Sequence, residues 1–431
     1  MNIIAQNNLK LAVFLLSFFF FQHSNAQTVT TLAGSTLGFA NGTGTATQFN
    51  YPYGVDVDVA GNIYVADKLN HRIRKISDSG VVTTFAGSTI GSVNGTGTAA
   101  QFNSPSGVAV AIDGTVYVAD TANDRIRKIT AAGVVTTLAG STQGSANGTG
   151  TTARFNSPSG IAIDAVGNVY VADKGNHRIR KITSAGVVTT FAGSTLGYTD
   201  GIATAAQFHS PLDVAVDVTG NVYVADAINH RIRKITTDGT VTTFAGSTQG
   251  VSDGLGTAAQ FYSPAGVAVD ASGNVYVADE INSRIRKVTA AGMVTTLAGS
   301  TAGTADGTGS AAQFFYPNGV AVNATGTIFV ADTQNHRIRK ITGTLVTDSY
   351  QLENEISIYP NPAATEISVS NKNQIGISEI IITDFNGRII KQITFDNLLN
   401  VQVNIAGLSS GIYLMKIDSQ QGTITKKIIK N

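Results

Sequence analysis

The sequence predicts an all-β chain in which a six-bladed β-propeller is followed by a small β-sandwich. The main observation is a repeat: residues 70–75 read Asn-His-Arg-Ile-Arg-Lys, and five close copies follow at steps of 53 residues. Each 53-residue unit holds four short runs rich in valine, isoleucine, threonine and tyrosine, with glycine and asparagine at the turns. Six units of four antiparallel strands, with no helix of useful length, are typical of propeller blades.

The first 26 residues predict a signal peptide. Lys10 is their only charge, and the apolar run that follows it covers 11 residues, which is too short to span a bilayer. Ser24-Asn25-Ala26 suits signal peptidase, so we expect cleavage after Ala26. The mature chain is then expected to have no transmembrane segment.

The first complete unit, which begins at Pro52, shows the expected blade. Short apolar runs alternate with glycine and asparagine turns, as in antiparallel hairpins. The predicted strands are Gly54–Asp58, Ile63–Ala66, Arg72–Ile76 and Val81–Ala86.

The register of the copies predicts how the ring closes. Val29–Gly34 is a copy of the fourth strand that lacks its own first three strands, whereas the last unit has no complete fourth strand after Ile341. We therefore expect the N-terminal strand to complete the last blade and to cover its open edge. The alternative is a shortened fourth strand at Leu345-Val346-Thr347.

The repeated unit resembles the NHL repeat, whose Asn-His-Leu reads Asn-His-Arg here, and the resemblance covers residues 28 to about 345. It implies the same propeller fold, which we place at residues 27–347. Propellers of this family bind proteins or RNA, and a few are lyases, so the resemblance does not choose a ligand.

Composition excludes several classes of function. The chain has no cysteine, which excludes disulfide scaffolds, zinc ribbons and thiol catalysis. The propeller region has 21 basic and 20 acidic residues, which argues against nucleic acid as a partner. We expect the repeated arginines to pair instead with the aspartate that ends each second strand. These aspartates are Asp67, Asp120, Asp173, Asp226, Asp279 and Asp332.

Two repeated features are interpreted as structural rather than metal-binding. The histidines that begin the third strands lie in different blades and cannot reach one ion, so we expect them to form structural hydrogen bonds. We predict no cofactor; calcium at the glycine-rich loops of Asp200, Asp253 and Asp306 is the alternative, although the spacing of an EF-hand is missing. The histidines are His71, His177, His230 and His336.

The ligand is expected on the face that carries the long loop between the fourth strand of one blade and the first strand of the next. Function in a rigid scaffold usually lies in loops, and this face also carries most of the differences between copies. Residues that differ between copies are the candidate ligand-binding set, with neutral surface variation as the alternative. They are Tyr53, Asp56, Lys68, Arg154, Lys174, Tyr198, His209, Asp213, Glu280 and Asn318.

Residues 348–431 are predicted to form the separate β-sandwich, with strands at Glu366–Ser370, Glu379–Thr383, Arg388–Thr394, Val401–Ile405, Gly411–Ile417 and Thr423–Ile429. From residue 350 they resemble the C-terminal sorting domain of the type IX secretion system. The resemblance implies contact with the outer-membrane secretion machinery, then removal of the domain, with the propeller anchored or released. A carbohydrate-binding or adhesion sandwich is the alternative. The matching segments are residues 358–362, 384–388, 408–416 and 426–430.

These observations favour a secreted or cell-surface, non-catalytic propeller that binds a glycan or a protein. The alternative is a lyase or hydrolase with its site in the central channel. Asp56 and Asp213 belong to blades one and four, so we expect them across the ring from each other, able to meet only through a ligand or ion. The sequence leaves the ligand and any catalytic activity open.

Overall fold

The computed structural model describes residues 27–343, 356–371, 376–384, 388–419 and 422–431. The predicted signal peptide and the alternative closing strand at residues 345–347 lie outside the described residues. Within the described residues, no helix is long and apolar enough to cross a membrane.

Six antiparallel sheets form the propeller, one for each sequence repeat. Blades are numbered from the one that contains Pro52. The first strands, which line the channel, are Pro52–Val57, Gly107–Val110, Pro158–Ile163, Pro211–Val216, Pro264–Val269 and Pro317–Val322. The second strands are Ile63–Asp67, Val116–Asp120, Val169–Asp173, Val222–Asp226, Val275–Asp279 and Ile328–Asp332.

The outer half of each blade follows the same order. The third strands are Arg72–Ile76, Arg125–Ile129, Arg178–Ile182, Arg231–Ile235, Arg284–Val288 and Arg337–Gly343. The fourth strands of blades one to five are Val81–Gly87, Val134–Gly140, Val187–Ala192, Thr240–Ala245 and Met293–Ala298.

Each sheet has a fifth strand that the four-strand prediction lacked. It is two residues long, comes from the long loop and pairs with the fourth strand; in blade one Gly42 pairs with Val82 and Thr43 with Val81. Because it covers the outer edge of the sheet, it satisfies backbone groups that would otherwise be exposed. The six are Gly42–Thr43, Gly95–Thr96, Gly148–Thr149, Gly201–Ile202, Gly254–Leu255 and Gly307–Thr308.

Short 3-10 helices occupy two positions in the repeat. One set follows the fifth strands: Gly44–Ala46, Gly97–Ala99, Gly150–Thr152, Ala203–Ala205, Gly256–Ala258 and Gly309–Ala311. The other set follows the second strands: Lys68–Asn70, Thr121–Asn123, Lys174–Asn176, Ala227–Asn229 and Thr333–Asn335.

The N-terminal strand closes the ring, as the register predicted. Gln27–Ala33 is the fourth strand of blade six and pairs antiparallel with Arg337–Gly343, with Thr28 opposite Thr342 and Thr30 opposite Lys340. The first and last parts of the propeller are thereby held in one sheet.

A buried ion pair lies in every blade, which confirms the structural interpretation of the repeated arginine and aspartate. In blade one Arg74 Nη1 lies 2.7 Å from Asp67 Oδ2, and both side chains are fully buried. Arg74 Nη2 also donates to Ala40 O and to Asn41 Oδ1 at 2.9 and 2.8 Å. The guanidinium group thus ties the long loop to the second strand. The other pairs are Arg127–Asp120, Arg180–Asp173, Arg233–Asp226, Arg286–Asp279 and Arg339–Asp332.

The C-terminal region forms two sheets, as the predicted sandwich required. The three-stranded sheet contains Ile356–Tyr359, Glu366–Asn371 and Asn400–Asn404, of which the first strand was not predicted. The four-stranded sheet contains Ile377–Thr383, Ile389–Leu398, Gly411–Ser419 and Gly422–Lys430. Buried residues from both sheets, such as Val369, Ile380 and Met415, share one core.

Candidate binding site at the channel mouth

The first strands of the six blades surround a central channel of about 200 Å³. They approach each other closely at its wall: a Cβ on Gly54 would lie 2.3 Å from the carbonyl oxygen of Ser106, and one on Gly319 would lie 2.3 Å from that of Tyr53. A Cβ at these two glycines would clash with the backbone of the next blade, which agrees with the glycine found at this position in five blades. Blade four carries Asp213 instead.

Asp213 and Asp56 both lie on the channel wall, in blades four and one as predicted. Asp56 Oδ2 accepts a hydrogen bond from the backbone N–H of Val110 at 2.7 Å, and Asp213 Oδ2 accepts one from Val267 at 3.0 Å. Each carboxylate therefore joins its own blade to the next one. The sequence could not show this contact, because it depends on how closely the blades approach.

Burial raises the pKa of both channel carboxyl groups. The pKa of Asp56 is about 6 and that of Asp213 about 7, because protein surrounds these half-buried side chains and disfavours their charged forms. The backbone hydrogen bonds from the next blade partly oppose this effect. The charge of Asp56 also raises the pKa of Asp213.

The channel mouth is defined here as the ring of residues that follow the second strands on the long-loop face. Its charged members come from alternate blades: Lys68 from blade one, Lys174 from blade three and Glu280 from blade five. Burial lowers the pKa of Lys68, the charge of Lys174 lowers it further, and Glu280 raises it. Burial raises the pKa of Glu280, and the positive charge of Lys174 partly offsets this increase. The remaining members are Thr121, Ala227 and Thr333.

Beside the mouth lies a hollow of about 410 Å³, which we call the closure hollow because it lies where blades five, six and one meet. Lys68 Nζ is 4.1 Å from the centre of the Tyr53 ring, a cation–π contact. Ser263 Oγ donates to Glu280 Oε2 at 3.1 Å. Burial raises the pKa of Tyr53, and the charges of Glu280 and Asp213 raise it further. The hollow is lined by Tyr51, Tyr53, Lys68, Leu69, Glu280, Ile281, Tyr316, Asn318, Thr333 and Gln334.

Two of the tyrosines that line the closure hollow are not among the site residues predicted from the sequence. Tyr51 and Tyr316 occupy a position at which the other four copies have serine: Ser104, Ser157, Ser210 and Ser263. The difference between copies was visible in the sequence. Its meaning was not, because the position becomes part of a hollow only when the ring closes.

Three predicted site residues lie elsewhere on the molecule. Arg154 is exposed and its side chain packs over Gly144. Tyr198 lies 4.7 Å from the Arg231 guanidinium group, and the His209 ring lies 5.7 Å from that of His177. None of the three lines the channel or the closure hollow. They differ between copies, but their loop positions take them away from the axis.

The repeated histidines form hydrogen bonds between blades, as expected. His71 Nδ1 accepts from Ser104 N–H at 3.1 Å, and His336 Nδ1 accepts from Tyr51 N–H at 3.3 Å. In blade two Asp124 replaces the histidine and accepts from Ser157 N–H at 2.8 Å. In the part of the chain that is described, no three His, Asp or Glu side chains gather closely enough to hold a metal ion.

The loop aspartates named for calcium have arginine partners. Asp200, Asp253 and Asp306 lie 2.5, 2.6 and 2.7 Å from the buried arginines of their blades. The first three blades have Asn41, Asn94 and Asn147 in the same role. The carboxylates of Asp200, Asp253 and Asp306 are therefore structural acceptors, and calcium at these loops stays the untested alternative.

Comparison with known families agrees with this architecture. The fold defines the chain as a six-bladed propeller with a C-terminal sandwich, and two family models match it. The NHL repeat matches at residues 49–76, 102–129, 155–182, 208–235, 261–288 and 314–341. The secretion system C-terminal sorting domain matches at residues 357–431. The protein is an NHL-repeat propeller with a C-terminal sorting domain of the type IX secretion system.

Curated relatives match about two thirds of the chain. The chain is 32% identical over 312 residues to Protein SUPPRESSOR OF QUENCHING 1, chloroplastic, of Arabidopsis thaliana, covering 66% of this chain and 29% of that protein. It is 30% identical over 335 residues to human NHL repeat-containing protein 2, covering 67% and 46%. The chain thus spans less than half the length of these relatives.

Among solved structures, a structural genomics protein of unknown function from Bacteroides thetaiotaomicron has a TM-score of 0.58 and 25% identity, covering 74% of this chain and 76% of that one. An auxiliary nutrient binding protein from the same species has a TM-score of 0.58 and 18% identity, covering 73% and 76%. The second likeness shows the fold alone.

Proposed function

We propose that this protein is an exported, non-catalytic binding propeller that takes a glycan or protein ligand at the channel mouth. One observation carries the proposal. The blades are nearly identical, yet Tyr53, Lys68, Glu280 and Asn318, which differ between copies, line one hollow on the long-loop face. Aromatic side chains with a few polar and charged groups around one hollow are the usual lining of a ligand site.

The sorting domain indicates export by type IX secretion to the cell surface or outside. We propose that the signal peptide first takes the chain to the periplasm and that the propeller then stays anchored or is released. Gln27 and Gly343 pair with each other at the face opposite the channel mouth, where the other blades turn from strand three to strand four. A propeller held through its C-terminal end therefore leaves its mouth open to ligands.

Structural neighbours named auxiliary nutrient binding proteins, from Bacteroides thetaiotaomicron and Bacteroides ovatus, support a binding role through the shared fold. They do not specify a ligand for this chain.

One observation favours the enzymatic alternative. Asp56 and Asp213 line the same channel and have pKa values of about 6 and about 7, which suit a general acid and base near neutral pH. Against it, each carboxylate accepts a backbone hydrogen bond from the next blade, which gives it a structural role.

The test is binding by the chain without its predicted signal peptide, residues 27–431, to a panel of polysaccharides and envelope proteins. We expect at least one panel member to bind, and the double variant Tyr53→Leu plus Lys68→Met to weaken that binding at least tenfold. The matched control is Tyr198→Leu plus Lys181→Met, which changes the same residue types outside the hollow. Equal weakening by both double variants contradicts a site at the mouth.

A further inference from the structure

We propose that the closure hollow is a subsite for an acidic saccharide, whose sugar ring contacts the tyrosines and whose carboxylate pairs with Lys68. This inference rests on the proposed function and adds the chemical class of the ligand. It follows from the aromatic wall of the hollow, its unpaired polar group and its charge.

The aromatic wall comes from Tyr51, Tyr53 and Tyr316. Neighbouring rings hold two of them: Tyr51 meets His336 edge-on at 5.0 Å, and Tyr316 stacks on Phe315 at 5.0 Å. A tyrosine offers an apolar face and a hydroxyl group that forms hydrogen bonds. Such a wall matches a ligand with both an apolar face and hydroxyl groups, which describes a sugar ring.

The polar group is Asn318, which is 3% exposed. Its Nδ2 donates to Tyr316 O at 3.0 Å and to Thr333 Oγ1 at 3.1 Å. Its Oδ1 is buried and has no hydrogen-bond partner within the described residues. A buried acceptor without a partner is unfavourable, so a ligand hydroxyl group that reaches this oxygen would add a hydrogen bond that the free protein lacks.

Charge favours an anionic sugar over a neutral one. The charged lining residues are Lys68 and Glu280, and Lys174 lies near enough for its charge to lower the pKa of Lys68, so the channel mouth carries one net positive charge. Lys68 contacts the Tyr53 ring and forms no salt bridge within the described residues. Glu280 already accepts a hydrogen bond from Ser263 at Oε2 and also interacts with Asn318, so Lys68 is the charged lining group that is left for the ligand.

The size of the hollow favours a sugar over a protein surface. Its volume of about 410 Å³ lies towards the lower end of small-molecule sites, which span roughly 300–1,000 Å³. A stable protein partner would need a much wider contact, about 800 Å² on each side.

The experiment is calorimetric titration of residues 27–431 with trisaccharides of galacturonate, mannuronate and guluronate. Each is compared with its methyl ester, which keeps the ring and loses the charge. We expect at least one uronate to bind and its ester to bind at least tenfold more weakly. Lys68→Met should weaken binding of the uronate by a similar factor. Asn318→Ala should weaken both forms several-fold. Lys181→Met, in blade three and outside the hollow, should change the binding of neither form.

The possible outcomes distinguish the acidic-saccharide subsite from the proposed function. If the acid and the ester bind equally well and Tyr53→Leu loses the binding of both, the acidic-saccharide subsite is overturned and the proposed function stands. Absence of uronate binding, with mouth-dependent binding of another panel member, also overturns the subsite alone. Absence of any mouth-dependent binding by a chain that melts normally overturns both.

Discussion

The N-terminal strand should be essential for the stability of the propeller. Gln27–Ala33 forms six residue pairs with the third strand of blade six, and Val29 is fully buried. Thr31 N–H and Oγ1 also donate to Asp306 at 3.1 and 3.0 Å. A buried valine contributes about 2 kcal/mol, and a backbone hydrogen bond contributes about 1 kcal/mol net. The strand then contributes roughly 6–8 kcal/mol, a large part of the about 5–15 kcal/mol that stabilises a typical protein.

Deleting residues 27–33 should therefore lower the melting temperature by roughly 10 °C or more, or prevent folding. The exposed strand of blade six should also promote aggregation. Thermal unfolding by circular dichroism, with light scattering in parallel, measures both effects. Val29→Ala and Val241→Ala form a matched pair, because these valines occupy the same position in blades six and four and are both buried. A melting curve that the deletion leaves unchanged would refute the reasoning and assign closure to residues 345–347.

Three further predictions concern the blades, the channel and the tail. Arg180→Met leaves Asp173 buried without its cation and should cost about 3–5 kcal/mol in chemical denaturation, whereas Arg178→Met should cost under about 1 kcal/mol; equal costs would contradict the role of the pair. The channel carboxyl groups have a pKa of about 4 in the unfolded state and a higher pKa in the folded state. Their protonated forms therefore favour the folded state, and this contribution to stability is fully present below about pH 4. It is lost as pH rises through about 6 and 7; the melting temperature should fall by a few degrees between pH 5 and 8, and Asp56→Asn plus Asp213→Asn should flatten that fall. A chain that ends at Ser349 should fold but stay in the periplasm of a host with type IX secretion, and normal levels in the medium would contradict the sorting role.

The sequence was sufficient for the fold because the repeat itself encodes the blade. The register of Val29 relative to its five copies predicted ring closure, and the pairing of Arg74 with Asp67 followed from their shared period. The fifth strand was not predictable: Gly42–Thr43 is too short to have a strand preference and pairs only because the long loop returns to the sheet edge.

Only part of the candidate site could be predicted from the sequence. Comparing the copies found Tyr53, Lys68, Glu280 and Asn318, since a ring places equivalent positions around one axis. The same comparison also selected Arg154, because a difference between copies does not reveal the distance from that axis.

The central claim is that the mouth binds a ligand and leaves it unchanged. The most direct test is to titrate residues 27–431 with the panel ligand that they bind, and then to recover that ligand and determine its mass. We predict that Tyr53→Leu plus Lys68→Met weakens binding at least tenfold and that the ligand is recovered intact from the wild type. Unchanged affinity in the double variant would contradict a site at the mouth. Conversion of the ligand by the wild type, lost in Asp56→Asn plus Asp213→Asn, would show an enzyme with its site in the channel.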